Sequence, residues 1–350
     1  MTTTTSSGGR MGKKVLITGV LGQDGSYLAQ LALAHGCEVL GGVRGEVTPA
    51  RCWRLDHLGV TSRVQFIDFD LMDPPLIQQQ ILRHRPDLIF NLAAQSSVGD
   101  SFNTPVATAE AGGMGALHIF EVARHADWSP RVFQASSSEI FGELSDVHQS
   151  EKSFFNPKTP YGATKLFAHI MAEAYRASYG TFVSTGILFN HESPLRGENF
   201  VTRKITQSLA RIRLGQQHKL SLGNLSAQRD WSHARDFVQA MWDILELPKP
   251  DNFVIASGRM TSVRQFAEMA ATRAGFELRW EGEGVDEKGI DRSTGQVIVD
   301  VDPRFYRPYD PEQPKVDTSK AREMLGWSPA ASLETLIDDM MAFEFSQLRV

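Results

Sequence analysis

The fold is decided near the start of the chain by the segment KVLITGVLGQDGS, residues 14–26. Its first five residues are typical of a buried strand, and the residues after its last glycine suit the opening of a helix. Between them stand three glycines, three residues apart, which let the backbone approach a pyrophosphate while the helix N-terminus offers free N–H groups. Strand, turn and helix together predict a dinucleotide site. Its predicted cofactor residues in this turn are Gly19, Gly22, Gln23, Asp24 and Gly25.

Apolar runs recur beyond this turn and alternate with helical patterns. Strands are predicted at 38–44, 64–67, 87–91, 131–135 and 181–189, which favours a Rossmann-type doubly wound parallel sheet of the α/β class. Past residue 189 the pattern changes, and this predicts a smaller C-terminal α/β substrate lobe. We therefore expect a disordered tail at residues 1–12, a dinucleotide-binding domain at 13–189 and 225–256, and the lobe at 190–224 and 257–350.

Composition limits the classes of partner. The chain has 350 residues, of which 41% are hydrophobic and 22% charged, and its formal net charge of -5 gives no overall drive toward nucleic acid. No uninterrupted apolar run approaches the ~20 residues of a membrane span. Two cysteines, Cys37 and Cys52, are too few for a disulfide framework and stand near no cluster of metal ligands. We expect a cytoplasmic protein with no metal, no membrane partner and no nucleic-acid partner.

The end of the second strand indicates which dinucleotide is bound. An NAD site usually carries an acid there to hold the ribose 2′-hydroxyl, whereas this strand ends in Val43-Arg44. Arginine can instead pair with a 2′-phosphate, which favours NADP. A surface arginine without a ligand is the alternative, and Glu46 stands two residues on. The exits of the third and fourth strands add the predicted cofactor residues Asp70, Leu71, Leu92, Ala93, Ala94 and Ser96.

The candidate catalytic residues lie between residues 136 and 165. A serine-rich segment ending in Glu139 follows the fifth strand, at the carboxyl end where open α/β sheets bind ligands. Tyr161 and Lys165 are four residues apart on one face of a predicted helix. Because an ammonium favours a nearby phenolate, we expect Lys165 to lower the pKa of Tyr161, and a serine hydroxyl to complete the proton path. Tyr-x-x-x-Lys alone fits an ordinary helix, but the serines and the nucleotide turn favour the catalytic interpretation.

Arginine is frequent in the C-terminal part, at positions 196, 203, 229, 304 and 307. Two arginines would hold a diphosphate, and the aromatic side chains of residues 303–308 would stack on a base. For any single position, an unliganded surface arginine is the alternative.

Six segments carry a resemblance to a known family: ITGVLGQDGS at 17–26, GILFNHESP at 186–194, FVTRKI at 200–205, LGN at 222–224, RDW at 229–231 and DPR at 302–304. With them the chain resembles the extended short-chain dehydrogenase/reductase superfamily and, within it, the GDP-mannose 4,6-dehydratase family. The resemblance runs from about residue 13 to the end. The glycine turn and Tyr-x-x-x-Lys mark only the superfamily, whereas residues 190–204 are far more specific to the dehydratases.

The resemblance implies a GDP-sugar substrate, NADP as cofactor, and a homodimer, with a tetramer as the alternative. Tyr161 would remove the proton of the sugar 4-hydroxyl as hydride leaves C4, Glu139 would take the C5 proton, and water would leave from C6. Ser137, Ser138 and Lys165 complete the implied catalytic group, and His191 falls beside the cofactor. The implied substrate residues are Ser97, Asn190, Val201, Lys204, Leu222, Gly223, Asn224, Arg229 and Arg304.

The chain departs from the family at two places. The family usually has two adjacent arginines after the second strand, in a loop that contacts the cofactor and a neighbouring subunit, whereas Gly45 follows Arg44 here. Ser97 stands where many members have histidine. These differences leave open a GDP-heptose 4,6-dehydratase and a nucleotide-sugar 4-reductase or epimerase. A catalytically inactive dinucleotide sensor is the alternative from another class of protein, and the intact Ser137, Tyr161 and Lys165 argue against it.

Overall fold

The computed structural model describes residues 12–142, 148–305 and 315–348. Its strands are β1 Lys14–Thr18, β2 Glu38–Val43, β3 Val64–Asp68, β4 Leu88–Asn91, β5 Arg131–Ser137, β6 Val183–Leu188, β7 Asn190–Glu192, β8 Leu220–Leu222, β9 Gln228–His233, β10 Asn252–Ile255, β11 Met260–Ser262, β12 Leu278–Glu281, β13 Lys288–Asp291 and β14 Val297–Val301. Its helices are α1 Gln23–Ala34, α2 Pro49–His57, α3 Pro74–His84, α4 Val98–Ser101, α5 Pro105–Ala109, α6 Gly115–His125, α7 Pro160–Tyr179, α8 Val201–Arg213, α9 Ala234–Glu246, α10 Val263–Arg273, α11 Ser319–Leu325 and α12 Leu333–Leu348.

Seven strands form the main sheet in the order β10-β6-β5-β4-β1-β2-β3. Every neighbouring pair in it is parallel. The strand order reverses between β1 and β4, and open sheets of this kind bind ligands at the carboxyl ends of the strands beside such a reversal. The predicted Rossmann-type doubly wound sheet is therefore confirmed, with β10 added at its edge.

The glycine-rich turn packs against the exit of β4 more closely than a side chain would allow. Gly19 has a φ of +71°, and a Cβ atom there would lie 3.1 Å from backbone atoms of Ala93. A Cβ atom on Gly25 would lie 2.3 Å from the carbonyl oxygen of Gly19, so the first turn of α1 lies directly on the loop before it. Gly22 is the N-cap of α1 and no side chain caps this helix, which leaves its first N–H groups available to an anion.

Two smaller sheets follow β6 along the chain, β11-β9-β7 and β12-β13-β14-β8. Helices α8, α10 and α12 enclose a second apolar cluster that includes Phe266 and Met340. Leu225 and Trp231 pack in this cluster too, although the sequence analysis assigned residues 225–256 to the dinucleotide-binding domain. The domain boundaries given above remain a prediction.

Four expectations from the sequence depend on which residues the structure describes. Within those ranges, no helix is both long and apolar enough to cross a membrane, and no three or more His, Cys, Asp or Glu side chains are grouped so that they could hold a metal ion. The expected tail falls outside the described residues except for Gly12, and so do residues 306–308 of the basic and aromatic segment.

Candidate active site

A cavity of about 690 Å³ lies at the carboxyl ends of β4, β5 and β6 and is bounded by β7, α8 and β9. All five predicted catalytic residues line it, together with most of the predicted substrate residues. The predicted residues in its lining are Asp24, Leu92, Ala94, Ser96, Ser97, Ser137, Ser138, Glu139, Tyr161, Lys165, Asn190, His191, Val201, Lys204, Leu222, Gly223, Asn224 and Arg229. The predicted residues outside its lining are Gly19, Gly22, Gln23, Gly25, Arg44, Asp70, Leu71, Ala93 and Arg304.

The end of β5 presents Ser137 and Glu139 to this cavity. A short 3-10 turn, Ser138–Ile140, follows the strand, and the Ser137 hydroxyl caps it by accepting a hydrogen bond from the Glu139 N–H at 3.2 Å. The same hydroxyl lies close enough to the Tyr161 phenol to act toward lowering its pKa. Gly162 permits this arrangement, because a Cβ atom there would lie 2.7 Å from the Glu139 carbonyl oxygen. Strand end and helix start are therefore packed directly against each other.

Helix α7 holds Tyr161 and Lys165 in its first two turns. Thr159 caps the helix through its hydroxyl, which accepts a hydrogen bond from the Gly162 N–H at 2.9 Å, and Pro160 occupies the first turn. The Lys165 ammonium donates a hydrogen bond to the Ala135 carbonyl oxygen at 2.9 Å. Its Nζ atom lies 5.6 Å from the centroid of the Tyr161 ring. The pair therefore shares one helix face, as the four-residue spacing predicts.

The electrostatics of this pair differ from the sequence expectation. Burial raises the pKa of Tyr161 to about 12, against the lowering effect of the Ser137 hydroxyl, and the Glu139 carboxylate raises it further. Burial also lowers the pKa of Lys165 to about 8. The expectation that Lys165 lowers the pKa of Tyr161 was wrong for the protein without ligands, because desolvation of the phenol outweighs the favourable contacts and Lys165 directs its N–H at Ala135.

A chain of buried amides and hydroxyls fixes the segment after β4. Thr18 donates to the side chain of Asn91 at 2.8 Å, and Asn91 donates in turn to Gln134 at 2.7 Å. The Thr18 hydroxyl also accepts hydrogen bonds from the N–H groups of Leu92 and Ala93, each at 3.0 Å. The sequence analysis named Leu92 and Ala93 but missed the three side chains that hold them. A hydroxyl at the end of β1, an amide at the end of β4 and an amide within β5 were the available signal.

The first turn of α1 is tied to β7 through His191. Its Nε2 atom lies 2.8 Å from Oδ2 of Asp24, and its Nδ1 atom lies 2.7 Å from the Phe189 carbonyl oxygen. Gln23 extends the link by donating to the His191 carbonyl oxygen at 3.1 Å and accepting from the Ser193 hydroxyl at 2.7 Å. Both ring nitrogens face acceptors, so the imidazolium form satisfies this site.

The pKa values of the pair follow from these contacts. Burial by itself lowers the pKa of His191, but the Asp24 carboxylate and the Phe189 carbonyl outweigh it and the pKa is raised. Burial by itself raises the pKa of Asp24, but His191, Arg196 and the Gln23 amide outweigh it and the pKa is lowered. Each partner therefore favours the charged form of the other.

Arg54 of α2 joins the glycine turn to the segment after β7. Its Nη1 atom donates to the Leu21 carbonyl oxygen at 3.1 Å, and its Nε atom donates to the Leu195 carbonyl oxygen at 2.7 Å. Burial lowers the pKa of Arg54 to about 10, so the guanidinium stays charged at neutral pH. Arg203 of α8 supports the same segment by donating to the carbonyl oxygens of Pro194 and Arg196. The sequence analysis did not single out Arg54.

The predicted cofactor residues in the first half of the chain fit a dinucleotide. Gly19 and Gly25 provide close backbone approach, and the uncapped N-terminus of α1 provides free N–H groups for a pyrophosphate. Asp70 lies at the exit of β3, where its carboxylate accepts a hydrogen bond from the Met72 N–H at 3.0 Å. Arg44 is exposed at the end of β2. The family's cofactor would thus lie along the carboxyl ends of β1 to β4.

Cations and aromatic rings line the other side of the cavity. Arg229 of β9 is buried, and its Nη1 atom donates to the Gln228 carbonyl oxygen at 2.7 Å. The Lys204 ammonium lies 3.3 Å from the centroid of the Phe305 ring, and burial lowers the pKa of Lys204 despite the opposing effect of Asp302. These are the side chains through which this part of the cavity would contact phosphates and a base.

Sequence reasoning missed several residues of this lining. The Arg196 guanidinium lies 3.6 Å from the centroid of the Phe200 ring, and its Nε atom lies 3.1 Å from Oε2 of Glu192. Arg196 was named from the sequence only as one of several arginines that could hold a diphosphate, and Phe305 only as part of the aromatic segment 303–308; both line the cavity. The lining residues to which the sequence gave no role include Glu192, Glu198, Asn199, Phe200 and Trp231.

Arg304, which was predicted to bind the substrate, lies outside the lining of the cavity. It contacts Asp302 through both Nε and Nη2, the latter at 2.6 Å from Oδ2, and its side chain is 85% exposed. The neighbouring Phe305 lines the cavity instead. The local pairing with a carboxylate two residues earlier therefore holds this guanidinium outside the cavity.

The glycine turn, the doubly wound sheet and the cluster of Ser137, Tyr161 and Lys165 define a short-chain dehydrogenase/reductase of the extended kind. The fold is shared with the structure of RMD from Pseudomonas aeruginosa complexed with NADPH, at a TM-score of 0.75 and 19% identity, over 96% of this chain and 100% of that one.

Within this class, the chain belongs to the GDP-mannose 4,6-dehydratase family. The family model described as GDP-mannose 4,6 dehydratase matches residues 16–340. The chain is 43% identical to the GDP-mannose 4,6-dehydratase of Sinorhizobium fredii (strain HH103), over 96% of this chain and 98% of that protein. It is 40% identical to the GDP-mannose 4,6 dehydratase of Homo sapiens, over 98% of this chain and 95% of that protein. The resemblance stated from the sequence is thus confirmed.

Proposed function

We propose that the protein converts GDP-D-mannose to GDP-4-keto-6-deoxy-D-mannose, with NADP as its cofactor. The observation that carries the proposal is the position of Glu139, which lines the same cavity as Ser137, Tyr161 and Lys165. A simple 4-reductase or 4-epimerase needs one proton path at C4, whereas a 4,6-dehydratase needs a second base for the C5 proton. The cavity holds a carboxylate in addition to the phenol, and this suits the dehydratase.

Tyr161, Ser137 and Lys165 would act at the 4-hydroxyl. A dinucleotide held at Gly19, Gly25 and the N-terminus of α1 would supply hydride transfer between C4 and C6 of the sugar. With a pKa of about 12, Tyr161 keeps its proton at neutral pH in the free protein, so phenolate character has to develop as the reaction proceeds. The Ser137 hydroxyl, which lies beside the phenol, would provide the proton path. Lys165, with a pKa of about 8, is mostly charged at neutral pH, and its charge would favour a phenolate that develops once substrate is bound.

Glu139 would act at C5 once a ketone stands at C4. The ketone acidifies the C5 hydrogen, and a carboxylate in the cavity removes it while the C6 hydroxyl departs as water. The proton that Glu139 gains leaves with the C6 hydroxyl as water. When hydride returns to C6, C5 needs a proton again, and the proton released from the 4-hydroxyl through Tyr161 and Ser137 balances it. Its place one residue into the turn after β5 separates it from Tyr161, which comes from α7.

The nucleotide part of the substrate would lie against the cations of the far wall. Arg229, Lys204 and Arg196 line the cavity together, from β9, α8 and the segment between β7 and α8. Guanidinium and ammonium groups hold diphosphates through charge-assisted hydrogen bonds. The Phe305 ring beside Lys204 offers a surface for stacking.

Two further parts of the proposal concern assembly and location. We expect a homodimer, because α5, the turn after it and α7 expose a group of large apolar side chains that a second chain would cover: Val106, Met114, Phe167 and Ile170. A π-helical turn at Glu110–Met114 brings Gly112 and Gly113 against Thr164 and Phe167 of α7, so these helices form one continuous face.

Both cysteines are free thiols, which is consistent with the expected cytoplasmic location.

A panel of nucleotide sugars tests the activity. The purified protein is incubated with NADP and, separately, GDP-mannose, a GDP-heptose, UDP-glucose or dTDP-glucose, and the product is scanned for the 4-keto chromophore in alkali. A 4-keto product from GDP-mannose supports the proposal. A 4-keto product from the heptose alone would favour the related dehydratase. A C4 epimer with no 4-keto species would favour the epimerase, and a 4-keto product that keeps its C6 hydroxyl and forms together with NADPH would favour the reductase.

A further inference from the structure

Arg51, in the first turn of α2, has its guanidinium fixed on the loop after β2. Its Nη1 and Nη2 atoms each lie 3.1 Å from the Arg44 carbonyl oxygen, and Nη1 also donates to the Glu46 carbonyl oxygen. These two carbonyls flank Gly45, the position at which the family usually has its second arginine. Arg51 of α2 therefore places a second guanidinium at this loop, although the loop itself has glycine where the family usually has its second arginine.

The way in which Arg51 is held leaves one edge of its guanidinium open. A guanidinium has five N–H groups, of which two on Nη1 and one on Nη2 are used by the two carbonyls. The N–H of Nε and the second N–H of Nη2 have no acceptor in the parts of the chain that the structure describes. These two groups form the parallel fork that pairs with two oxygens of a phosphate.

The position of this fork matches one part of a dinucleotide. The carboxyl end of β2 is where such folds meet the adenosine ribose, and an acid there contacts its 2′-hydroxyl. Here the strand ends without an acid, and Gly45 adopts a φ of +71° with no atom within 4 Å of where its Cβ would lie. Space beside Gly45 is thus free, and α2 begins nearby at Pro49 with no side-chain cap, so its N-terminus also favours an anion.

We propose that Arg51 is the second determinant of NADP selectivity and, together with Arg44, binds the 2′-phosphate of the adenosine ribose. This inference rests on the proposed use of NADP. The backbone anchors orient the guanidinium before the ligand arrives, so less side-chain freedom is lost on binding than for the exposed Arg44. Two N–H groups on one edge of the Arg51 guanidinium would bind the phosphate together. A lysine at position 51 has no such planar pair of N–H groups.

Binding to the protein without substrate tests the assignment. Calorimetry gives the Kd values of NADP, NAD and adenosine 2′,5′-bisphosphate, the last of which carries the 2′-phosphate but no nicotinamide. Arg51→Ala should weaken NADP and the bisphosphate by about tenfold or more and leave NAD unchanged, since a charge-assisted bond is lost. Arg51→Lys should recover only part of the loss. Arg83→Ala, on an exposed arginine of α3, is the matched control and should change none of the three.

The possible results separate this inference from the cofactor proposal. If wild-type protein binds NAD as tightly as NADP, the choice of NADP is wrong and the role of Arg51 is overturned with it. If wild-type protein prefers NADP and Arg51→Ala keeps that preference, only the role of Arg51 is overturned. Equal weakening of NAD and NADP in Arg51→Ala would show that Arg51 merely holds the loop, and this too would overturn the inference.

Discussion

Nε2 of His191 lies 2.8 Å from Oδ2 of Asp24, and this contact joins the strand beside the catalytic cavity to the first turn of the helix that follows the glycine-rich turn. Each partner shifts the pKa of the other toward the charged state, His191 upward and Asp24 downward. The contact is therefore strongest as an ion pair, with His191 protonated and Asp24 ionised, and it weakens when low pH protonates Asp24 or high pH deprotonates His191.

The pH dependence of stability follows from the directions of these shifts. A raised pKa of His191 gives stability that is full below its ordinary value of 6.5 and is lost as pH rises through the folded-state value. A lowered pKa of Asp24 gives stability that is present above 3.8 and is lost as pH falls through its folded-state value. Asp24→Asn should cost about 1.5–3 kcal/mol at neutral pH and remove the loss at high pH, as measured by urea unfolding across pH. A variant with the wild-type pH profile would contradict the pairing.

Glu139 is expected to be required for the elimination of water across C5 and C6, and not for the removal of hydride from C4. Glu139→Gln keeps the size and hydrogen bonding of the side chain but removes the base, so turnover should fall by about 10²–10⁴. In deuterated water, mass spectrometry of recovered GDP-mannose and of product should show no exchange at C5. Glu198→Gln removes another carboxylate from the cavity lining and is the matched control. If Glu198→Gln abolished exchange while Glu139→Gln retained it, the base would have been assigned to the wrong residue.

Lys165 is expected to reduce the stability of the fold while it serves the reaction. Its pKa falls from the ordinary 10.5 to about 8 through burial, which corresponds to about 3 kcal/mol of destabilisation while the amine is charged in both states. Between these two pH values the unfolded chain binds the proton and the folded chain does not, so stability rises with pH in that window. Lys165→Met should be inactive and should be more stable than the wild type at pH 7 by about 1–3 kcal/mol. Its free energy of unfolding should not rise with pH between about 8 and 10.5. Chemical denaturation at pH 7, 8 and 10 measures both effects, and a less stable variant at pH 7 would oppose the prediction.

Arg229 and Arg304 should differ in their effect on substrate affinity. Arg229 is buried in the cavity lining, whereas Arg304 is paired with Asp302 outside it. A contact made equally in the ground state and transition state affects KM rather than kcat, so Arg229→Ala should raise KM for GDP-mannose about tenfold or more. Arg304→Ala should change KM less than threefold, roughly the noise of a surface substitution. Steady-state kinetics of both variants provide the comparison, and equal increases in KM would show that Arg304 turns into the cavity when substrate binds.

The apolar face of α5 and α7 should mediate self-association. Phe167 is 41% exposed there, and Phe167→Glu would place a charge in the middle of a buried interface. We expect wild-type dimer and variant monomer in light scattering after size-exclusion chromatography, over a range of concentrations. Leu82→Glu, at a leucine that is 46% exposed on α3, is the matched control and should remain a dimer. A monomeric wild-type protein would show that the homodimer prediction is wrong.

The sequence predicted those parts of the site that depend on local pattern. Apolar runs gave the strands of the sheet up to β6, the glycine spacing gave the turn before α1, and the four-residue spacing placed Tyr161 and Lys165 on one face of a helix. Arrangements of this kind are set by neighbours within one turn of helix or one strand.

The parts that were missed depend on distant groups. The pKa of Tyr161 is set by burial, and Lys165 is directed by the Ala135 carbonyl oxygen, thirty residues earlier. Arg54 reaches a carbonyl 141 residues away, which no spacing rule reveals. The pairing of Arg304 with Asp302 is the exception, because a carboxylate two residues before an arginine is visible in sequence and was not weighed.

Arg54 has a consequence for how the two halves of the cavity respond to their ligands. One guanidinium holds the Leu21 carbonyl on the glycine turn and the Leu195 carbonyl on the polar segment beyond β7. A ligand that orders either segment restrains this shared anchor, so part of the entropy lost in ordering the other segment has then been lost already. Thermodynamic linkage requires any such cooperativity to be reciprocal: dinucleotide tightens sugar-nucleotide binding by the same factor as sugar nucleotide tightens dinucleotide binding.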